Sequence, residues 1–224
     1  MNGVRTDATR VGSHAPLADE YWGSGDRVAR YLTQIDALPH LKEGEEVLLD
    51  HLPHGRRHVL DLGAGDGRLI GMVRAARPEA VCVGIDYSEA MLAAARERFA
   101  NDVLFVGHDL ATPLPDLGKF DAIISSFATH NLTPASQRLL YESVFERLVP
   151  GGVFCNLDHV GSPTRRLHDA FYRRIAQMTE FDHRSHTTLA VSEHLQWLRE
   201  LEFDDVDCYW KWLELALIVG VRAG

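Results

Sequence analysis

A glycine-rich turn between an apolar run and a helical pattern constrains this 224-residue chain more than any other feature. The run ends in Asp61, and Gly63, Gly65 and Gly67 follow at every second position. A strand, a tight turn and a helix start in this order mark the place where an open α/β sheet receives a nucleotide-like ligand. The spacing G-x-G-x-G is shorter than the G-x-G-x-x-G of dinucleotide-binding folds.

The residues of the turn predict a close approach of backbone to ligand. Glycine adopts positive φ without a steric penalty and leaves room beside the main chain. Asp61 should face the ligand crevice, because it lies at the carboxyl end of its strand. No Lys followed by Ser or Thr ends the loop, which argues against a phosphate-binding P-loop. Taken alone, the pattern also fits an ordinary glycine-rich strand–helix turn.

A second acid follows a second apolar run. Residues 80–86 predict a strand ending in Asp86, about 20 residues beyond the glycines, where nucleotide-binding folds hold a ribose. Ser88 is a candidate N-cap for a helix with Met91 on its buried face. An alternative for Asp86 is a helix N-terminal acid that interacts with the helix dipole.

Three more strands are predicted downstream. Residues 103–107 lead to Asp109 and Leu110, and residues 120–126 lead to His130 and Asn131. Residues 152–158 follow a Leu-x-Pro-Gly-Gly turn, in which Pro stops a helix and the glycines allow the reversal.

Together these segments resemble the class I, Rossmann-like S-adenosylmethionine-dependent methyltransferases of the small-molecule type, over residues 57–160. The resemblance implies an α/β fold: a seven-stranded, mostly parallel sheet with a terminal antiparallel hairpin, helices on both faces and an N-terminal helical cap. It implies that Asp86 holds the ribose of S-adenosylmethionine, that Tyr87 lies against the adenine, and that Asp109 and Leu110 read the adenine edge. The cofactor-binding residues it suggests are Tyr21, Asp61, Gly63, Ala64, Gly65, Asp86, Tyr87, Met91, Asp109, Leu110 and Ser126.

The chain divides into five segments in this interpretation. They are a flexible N-terminus (1–16), a helical cap (17–55), the cofactor-binding core (56–160), substrate-side helices (161–204) and a C-terminal hairpin (205–224). Ser162 is a candidate N-cap for a helix over about residues 163–180. Many relatives carry Ala-Gly-Phe before the sixth strand, whereas this chain has Leu201-Glu202-Phe203. Without this glycine, the sequence does not predict the conformation in which the preceding helix ends.

Methyl transfer from a sulfonium needs an aligned nucleophile, and a hydroxyl nucleophile usually needs a base. His130 and His159 are the candidate bases, because the pKa of histidine lies near neutrality. The alternative for both is a hydrogen-bonded histidine without a proton-transfer role, since many methyl transfers need only proximity.

The candidate substrate residues lie on both sides of this core. They are Trp22, Asn131, Arg165 and His186. Arg165 belongs to a local arginine cluster that fits either a small anionic substrate or a solvated helix face. His186 lies in a histidine-rich stretch that lacks a recognised metal-ligand pattern, so no metal is predicted.

The net charge of −9, from 23 basic and 32 acidic residues, argues against a broad nucleic-acid groove. We expect methyl transfer to an oxygen, nitrogen or carbon nucleophile of a small molecule, for which an anionic substrate is one candidate. We also expect no membrane association, a cytoplasmic location, and a monomer or homodimer. Two other functions stay open: modification of the tRNA wobble uridine, and S-adenosylmethionine binding without catalysis. The first is suggested by the C-terminal segment, which resembles a branch containing such enzymes.

Overall fold

A computed structural model describes residues 38–55, 57–100, 102–176 and 188–224. Within this part, seven strands alternate with helices in the first half and end in a strand pair. The strands are β1 (His58–Leu62), β2 (Val81–Asp86), β3 (Leu104–Gly107), β4 (Phe120–Ser126), β5 (Leu148–His159), β6 (Phe203–Trp212) and β7 (Leu215–Arg222). The helices are α1 (Leu41–Asp50), α2 (Arg68–Ala76), α3 (Glu89–Phe99), α4 (Pro134–Arg147), α5 (Arg165–Ala176) and α6 (Val191–Glu200).

The seven strands form one sheet in the order β3-β2-β1-β4-β5-β7-β6. Strands β1 to β5 are parallel, and β7 runs antiparallel to both β5 and β6. The predicted sheet and its terminal hairpin are therefore confirmed. Strand order reverses between β1 and β4, and the carboxyl ends at such a switch point form the ligand crevice of an open α/β sheet.

Helices cover both faces of the sheet, as predicted. Leu48 of α1, Ile70 of α2, Leu92 of α3 and Ile175 of α5 are fully buried in one apolar cluster. A second cluster on the other face contains Leu140 of α4 and Leu198 of α6. Strands buried on both faces need near-continuous apolar runs, which explains why the sequence predicts the strands well.

Two strands begin earlier than the sequence predicts. Strand β6 begins at Phe203 and not at residue 205, because Phe203 pairs with Arg222 and is buried. Strand β5 begins at Leu148, since Leu148 pairs with Phe120 across an irregularity in the ladder. The Leu-x-Pro-Gly-Gly segment thus bends within an extended strand.

The two predicted helix caps have different outcomes. Ser88 caps α3, where its hydroxyl accepts a hydrogen bond from the backbone N–H of Met91. The prediction for Ser162 is wrong, because α5 begins at Arg165 and the Thr164 hydroxyl accepts from the N–H of Leu167. Ser162 instead hydrogen-bonds the carboxylate of Glu214.

The end of α6 shows what replaces the missing glycine. Glu202 adopts a left-handed conformation with φ of 63°, and its N–H donates to the carbonyl of Arg199. A side chain pays a steric penalty in this region that glycine does not. The helix therefore ends with the left-handed conformation that is common after helices, but on a glutamate that is strained there.

The segments before α1 lie mostly outside the described residues, including the predicted flexible terminus and most of the predicted cap. Helix α1 itself packs against β5, β6, β7 and α2. Its Gly44 allows this close packing, since a Cβ there would lie 2.9 Å from the Trp210 ring. Among the described residues, no helix is both long and apolar enough to cross a membrane.

Candidate active site

The glycine loop (residues 63–67) joins β1 to α2 in a backbone path that needs its three glycines. Their φ angles are 72°, 55° and 78° for Gly63, Gly65 and Gly67. A Cβ on Gly63 would lie 2.2 Å from the Cβ of Ala128, and one on Gly67 would lie 2.6 Å from the Phe99 ring. A Cβ on Gly65 would have only the Met91 sulfur within 4 Å, at 3.9 Å, so this glycine leaves space for a ligand.

Asp86 fastens the loop from the end of β2. Its Oδ2 accepts from the N–H of Gly65 at 2.9 Å, and its Oδ1 accepts from the N–H of Ser88 at 2.7 Å. Burial raises the pKa of Asp86, whereas these backbone donors oppose the rise. Asp86 therefore does interact with the N-terminus of α3, as the alternative interpretation expected. Its contact with a ribose stays a prediction. Tyr87 beside it is half exposed.

Asp61, at the end of β1, is a buried acid with an unsatisfied oxygen. It is 1% exposed, and its Oδ2 has no hydrogen-bond partner among the described residues. Burial, with the nearby charge of Asp86, raises the pKa of Asp61 to about 8, while Arg68 opposes the rise. Buried polar atoms nearly always have a partner, so an orphaned carboxylate oxygen beside an open loop indicates a site for a donor group.

The neighbouring strand β4 ends in a second buried polar atom without a hydrogen-bond partner in the described part of the chain. The buried Oγ of Ser126 also lacks a partner among the described residues. Asp109 accepts from the N–H of Ala111 at 2.8 Å, and Leu110 is buried beside it. A ligand with an ammonium group, a carboxylate and a ribose would supply partners for these atoms. The residues present therefore fit S-adenosylmethionine, and the roles assigned to Ala64 and Met91, both buried, stay predictions.

His130 is held by a buried carboxylate that the sequence analysis missed. It lies on a single 3₁₀ turn after β4, and its Nδ1 is 2.5 Å from Oδ1 of Asp158 on β5. The Asp158 oxygens also accept from the N–H groups of His130 and His159 and from the Thr129 hydroxyl. Burial alone would raise the pKa of Asp158, but His130 and these donors lower it to about 2. Asp158 is therefore ionised, and Nδ1 of His130 donates to it.

His130 and the glycine loop are adjacent. The Cβ of Ala128, two residues before His130, lies 2.2 Å from the position that a Cβ on Gly63 would occupy. The His130 side chain is 15% exposed, so it lies at the rim of the crevice and not in the core. With Nδ1 turned to Asp158, Nε2 is the atom that can accept a proton.

His159, the second candidate base, is anchored differently. Its Nε2 is 2.8 Å from Oε2 of Glu214, a fully buried residue that also contacts Nδ1 of His168 at 3.0 Å. Burial lowers the pKa of His159, and Glu214 opposes the change. The His159 ring packs on Phe171 with centroids 5.3 Å apart. Its position is internal, and its catalytic role stays a prediction.

The predicted substrate residues are only partly described. The Asn131 amide donates to the carbonyl of Ala128 at 3.2 Å, beside His130. Arg165 is exposed at the start of α5, and the neighbouring arginines of that helix are exposed as well, which fits a solvated helix face. Tyr21, Trp22 and His186 lie outside the described residues. In the described part of the chain, no group of three or more metal-ligand side chains could hold an ion.

A sequence signal for the missed acid does exist. Asn156 and Asp158 are polar residues in the buried part of β5, among the apolar residues Val153, Phe154, Cys155 and Leu157. Burying such groups is costly unless they are hydrogen-bonded, so their presence in a core strand points to a polar network. Their partners could not be named from sequence, because Thr129 and His130 are 27 and 28 residues away from their contacts in β5.

Comparison with known proteins agrees with this geometry. The family model "Methyltransferase domain" matches residues 59–152. A ubiquinone/menaquinone biosynthesis C-methyltransferase of Methylobacterium nodulans is 39% identical over 126 residues, 52% of this chain and 49% of the relative. A trans-aconitate 2-methyltransferase of Acidovorax sp. is 32% identical over 134 residues, 57% of this chain and 49% of the relative. The chain thus spans about half the length of these curated relatives.

Among solved structures, human N-acetylserotonin methyltransferase in complex with S-adenosylmethionine superposes with a TM-score of 0.68 at 15% identity. The superposition covers 94% of this chain and 61% of the human chain. At this identity the likeness concerns the fold, whereas the family match covers the glycine loop, Asp86 and His130 but ends before Asp158. Residues 59–152 therefore match the methyltransferase domain family, and the fold of the chain is the Rossmann-like fold of solved S-adenosylmethionine-dependent methyltransferases.

Proposed function

We propose that this chain transfers a methyl group from S-adenosylmethionine to a proton-bearing nucleophile of a small molecule, with His130 as the general base. The observation that carries the proposal is the pairing of His130 with the ionised Asp158 next to the glycine loop. A histidine fixed by a carboxylate through Nδ1 presents Nε2 to a substrate in one tautomer.

The cofactor would be held by residues already described. S-adenosylmethionine supplies a methyl group activated by a sulfonium, so the protein's work is to bind and align. Asp61 would accept from the cofactor's ammonium group, Asp86 from its ribose hydroxyls, and Gly65 leaves space beside the main chain. The family's use of this cofactor supports the assignment.

The nucleophile would be a hydroxyl or an acidic carbon. Both carry a proton that must leave when the methyl group arrives, and His130 Nε2 can accept it. A carboxylate acceptor would need no base, because it carries no proton to lose. A requirement for His130 would therefore distinguish a hydroxyl or an acidic carbon from a carboxylate. Aligning the two reactants and excluding water provide the remaining acceleration.

A small-molecule acceptor has two supports. The names of the curated relatives refer to quinone biosynthesis and to trans-aconitate, both small molecules. The net charge of −9 disfavours a nucleic-acid surface. The location in the cytoplasm and the choice between monomer and homodimer remain expectations.

The proposal is tested by turnover with a panel of phenols, enolisable ketones and organic acids, measuring S-adenosylhomocysteine formed. We expect the substitution His130→Ala to lower kcat by about a hundredfold or more on the accepted substrate, because general-base catalysis contributes about 10²–10⁴-fold. His58→Ala is the matched control, since His58 is an exposed histidine at the opposite end of β1.

Unchanged kcat in His130→Ala would remove the base and favour an acceptor that needs none. Binding of S-adenosylhomocysteine with no turnover across the panel would favour a protein that binds the cofactor without catalysis. Modification of tRNA in place of the small molecules would overturn the small-molecule assignment.

A further inference from the structure

A chain of buried hydrogen bonds runs from Asp158 away from the crevice into the core. Asp158 accepts from the Thr129 hydroxyl at 2.5 Å, and Thr129 in turn contacts Nδ2 of Asn156 at 3.1 Å. Asn156 Nδ2 also contacts the hydroxyl of Tyr141 at 3.1 Å, which is 2.7 Å from Nδ1 of His194. Thr129, Tyr141 and Asn156 are at most 1% exposed, so water does not compete for these bonds.

The orientation of the Asn156 amide determines which way the two hydroxyl protons of this hydrogen-bond network point. An amide nitrogen has two N–H groups and accepts nothing, so it donates to Thr129 and to Tyr141. Each hydroxyl has one proton, which is then directed away from Asn156. The Thr129 proton is directed to Asp158, and the Tyr141 proton to His194.

The reverse orientation of the amide fits worse. It would turn the Asn156 oxygen to both hydroxyls and draw the Thr129 proton away from Asp158. Two buried N–H groups would then lack acceptors, whereas the observed orientation leaves one oxygen, Oδ1, without a partner among the described residues. It would also place the Thr129 and Asp158 oxygens 2.5 Å apart with no proton between them.

We propose that Asn156 is a positioning residue, which directs the Thr129 hydroxyl proton onto Asp158 and so keeps Asp158 a carboxylate that holds His130. The consequence for catalysis rests on the proposed function of His130 as a base. The effect on Asp158 does not, because it concerns the protein without substrate.

The charges around Asp158 agree with this direction of donation. The groups that face it are His130 and His159 on the crevice side and Tyr141 and His194 on the core side, with Glu214 beyond His159. Burial and the charge of Asp158 raise the pKa of Tyr141, and burial lowers the pKa of His194. Tyr141 is thus a neutral donor and His194 a neutral acceptor. The ionised Asp158 faces only donors.

The test is a titration of the Asp158 carboxyl carbon by carbon-13 NMR in the protein without substrate. In the wild type we expect no titration at any pH where the protein is folded. Thr129→Val keeps the shape of the side chain and removes the hydroxyl, which should move the titration up by about one pH unit, because each lost donor disfavours the ionised form. Thr129→Ser keeps the hydroxyl and should titrate as the wild type does.

Asn156→Asp probes the direction itself. A carboxylate at this position accepts from Thr129 and Tyr141, so the Thr129 proton turns away from Asp158 and a second negative charge lies nearby. We expect the Asp158 titration to move up by about two units or more, and the acid limb of the kcat profile to move with it. Tyr141→Phe leaves the bond from Asn156 to Thr129 intact and is the matched control for the titration.

If Asp158 does not titrate in Thr129→Val or Asn156→Asp at any pH where these variants are folded, as in the wild type, the proposal is overturned. If Asn156→Asp does not fold, Asn156→Ala takes its place, because without the amide donor the Thr129 proton is no longer directed and the Asp158 titration should again move up. If the wild type shows no turnover, the proposed function fails while the NMR comparison still decides the role of Asn156.

Discussion

The acids on the two sides of the site differ in how many hydrogen-bond partners their oxygens have. On the glycine-loop side, Asp61 Oδ2 and Ser126 Oγ are buried without partners among the described residues, and Gly65 has space beside it. On the histidine side, Asp158 accepts from four donors, among them His130 and Thr129. The unpartnered oxygens of Asp61 and Ser126 are available to a ligand, whereas the saturated carboxylate of Asp158 holds His130 in place.

This difference separates binding from chemistry. The glycine-loop side should determine cofactor affinity, and the histidine side should determine turnover. The two sides approach each other closely at Gly63, where an added Cβ would lie 2.2 Å from the Cβ of Ala128. Variants at this point should affect both properties, and variants elsewhere should affect one.

The largest effect is expected at that point of close approach. Gly63→Ala places a Cβ 2.2 Å from the Cβ of Ala128 on a residue with φ of 72°. We expect it to destabilise the fold by about 3 kcal/mol and to weaken both cofactor binding and turnover, because overpacking and backbone strain add. Chemical denaturation and calorimetric titration measure these changes.

Gly118→Ala is the matched control for this prediction. Gly118 also has a positive φ, of 89°, but no atom lies within 4 Å of its ideal Cβ. It should lose only about 1 kcal/mol through strain. Equal losses in the two variants would mean that the contact with Ala128 has no role.

An intermediate effect is expected from the orphaned acid. The pKa of Asp61 is raised to about 8 in the folded protein, above the ordinary value of 3.8. The folded state therefore retains a proton that the unfolded chain releases, so the contribution of Asp61 to stability is lost as pH rises through this range. The free energy of unfolding of the wild type should fall between about pH 4 and pH 8 relative to Asp61→Asn.

Parallel pH profiles for the two proteins would contradict the buried, unpaired environment of Asp61. Denaturant titrations at several pH values measure the difference. The variant should also bind the cofactor more weakly, since an amide offers no charge to an ammonium group.

The smallest effect is expected far from both sides. Glu202→Gly should stabilise the protein by up to about 1 kcal/mol, because glycine adopts φ of 63° without the penalty that Glu202 pays. Glu202→Ala keeps the penalty and should show no such gain in thermal or chemical denaturation. Cofactor affinity should not change in either variant, and a change would contradict the separation of this helix end from the site.

Sequence predicted the glycine-loop side far better than the histidine side. An apolar run, an acid and spaced glycines are local signals, and they place Asp61, Gly65 and Asp86 at the ends of adjacent parallel strands. His130 was predicted from its place after β4, but its partner Asp158 is 28 residues away and became visible only through the pairing of β4 with β5. Similarly, the residue that caps α5 is Thr164 and not Ser162. Both residues have a hydroxyl that could cap a helix, so the sequence alone could not distinguish them.

The most direct measurement is calorimetric titration of S-adenosylhomocysteine into the wild type, Asp86→Ala and His130→Ala. We expect equal, micromolar binding to the wild type and His130→Ala, and loss of binding in Asp86→Ala with the fold retained. Equal binding to all three proteins, or loss in His130→Ala as large as in Asp86→Ala, would contradict the division of the site into a binding side and a catalytic side.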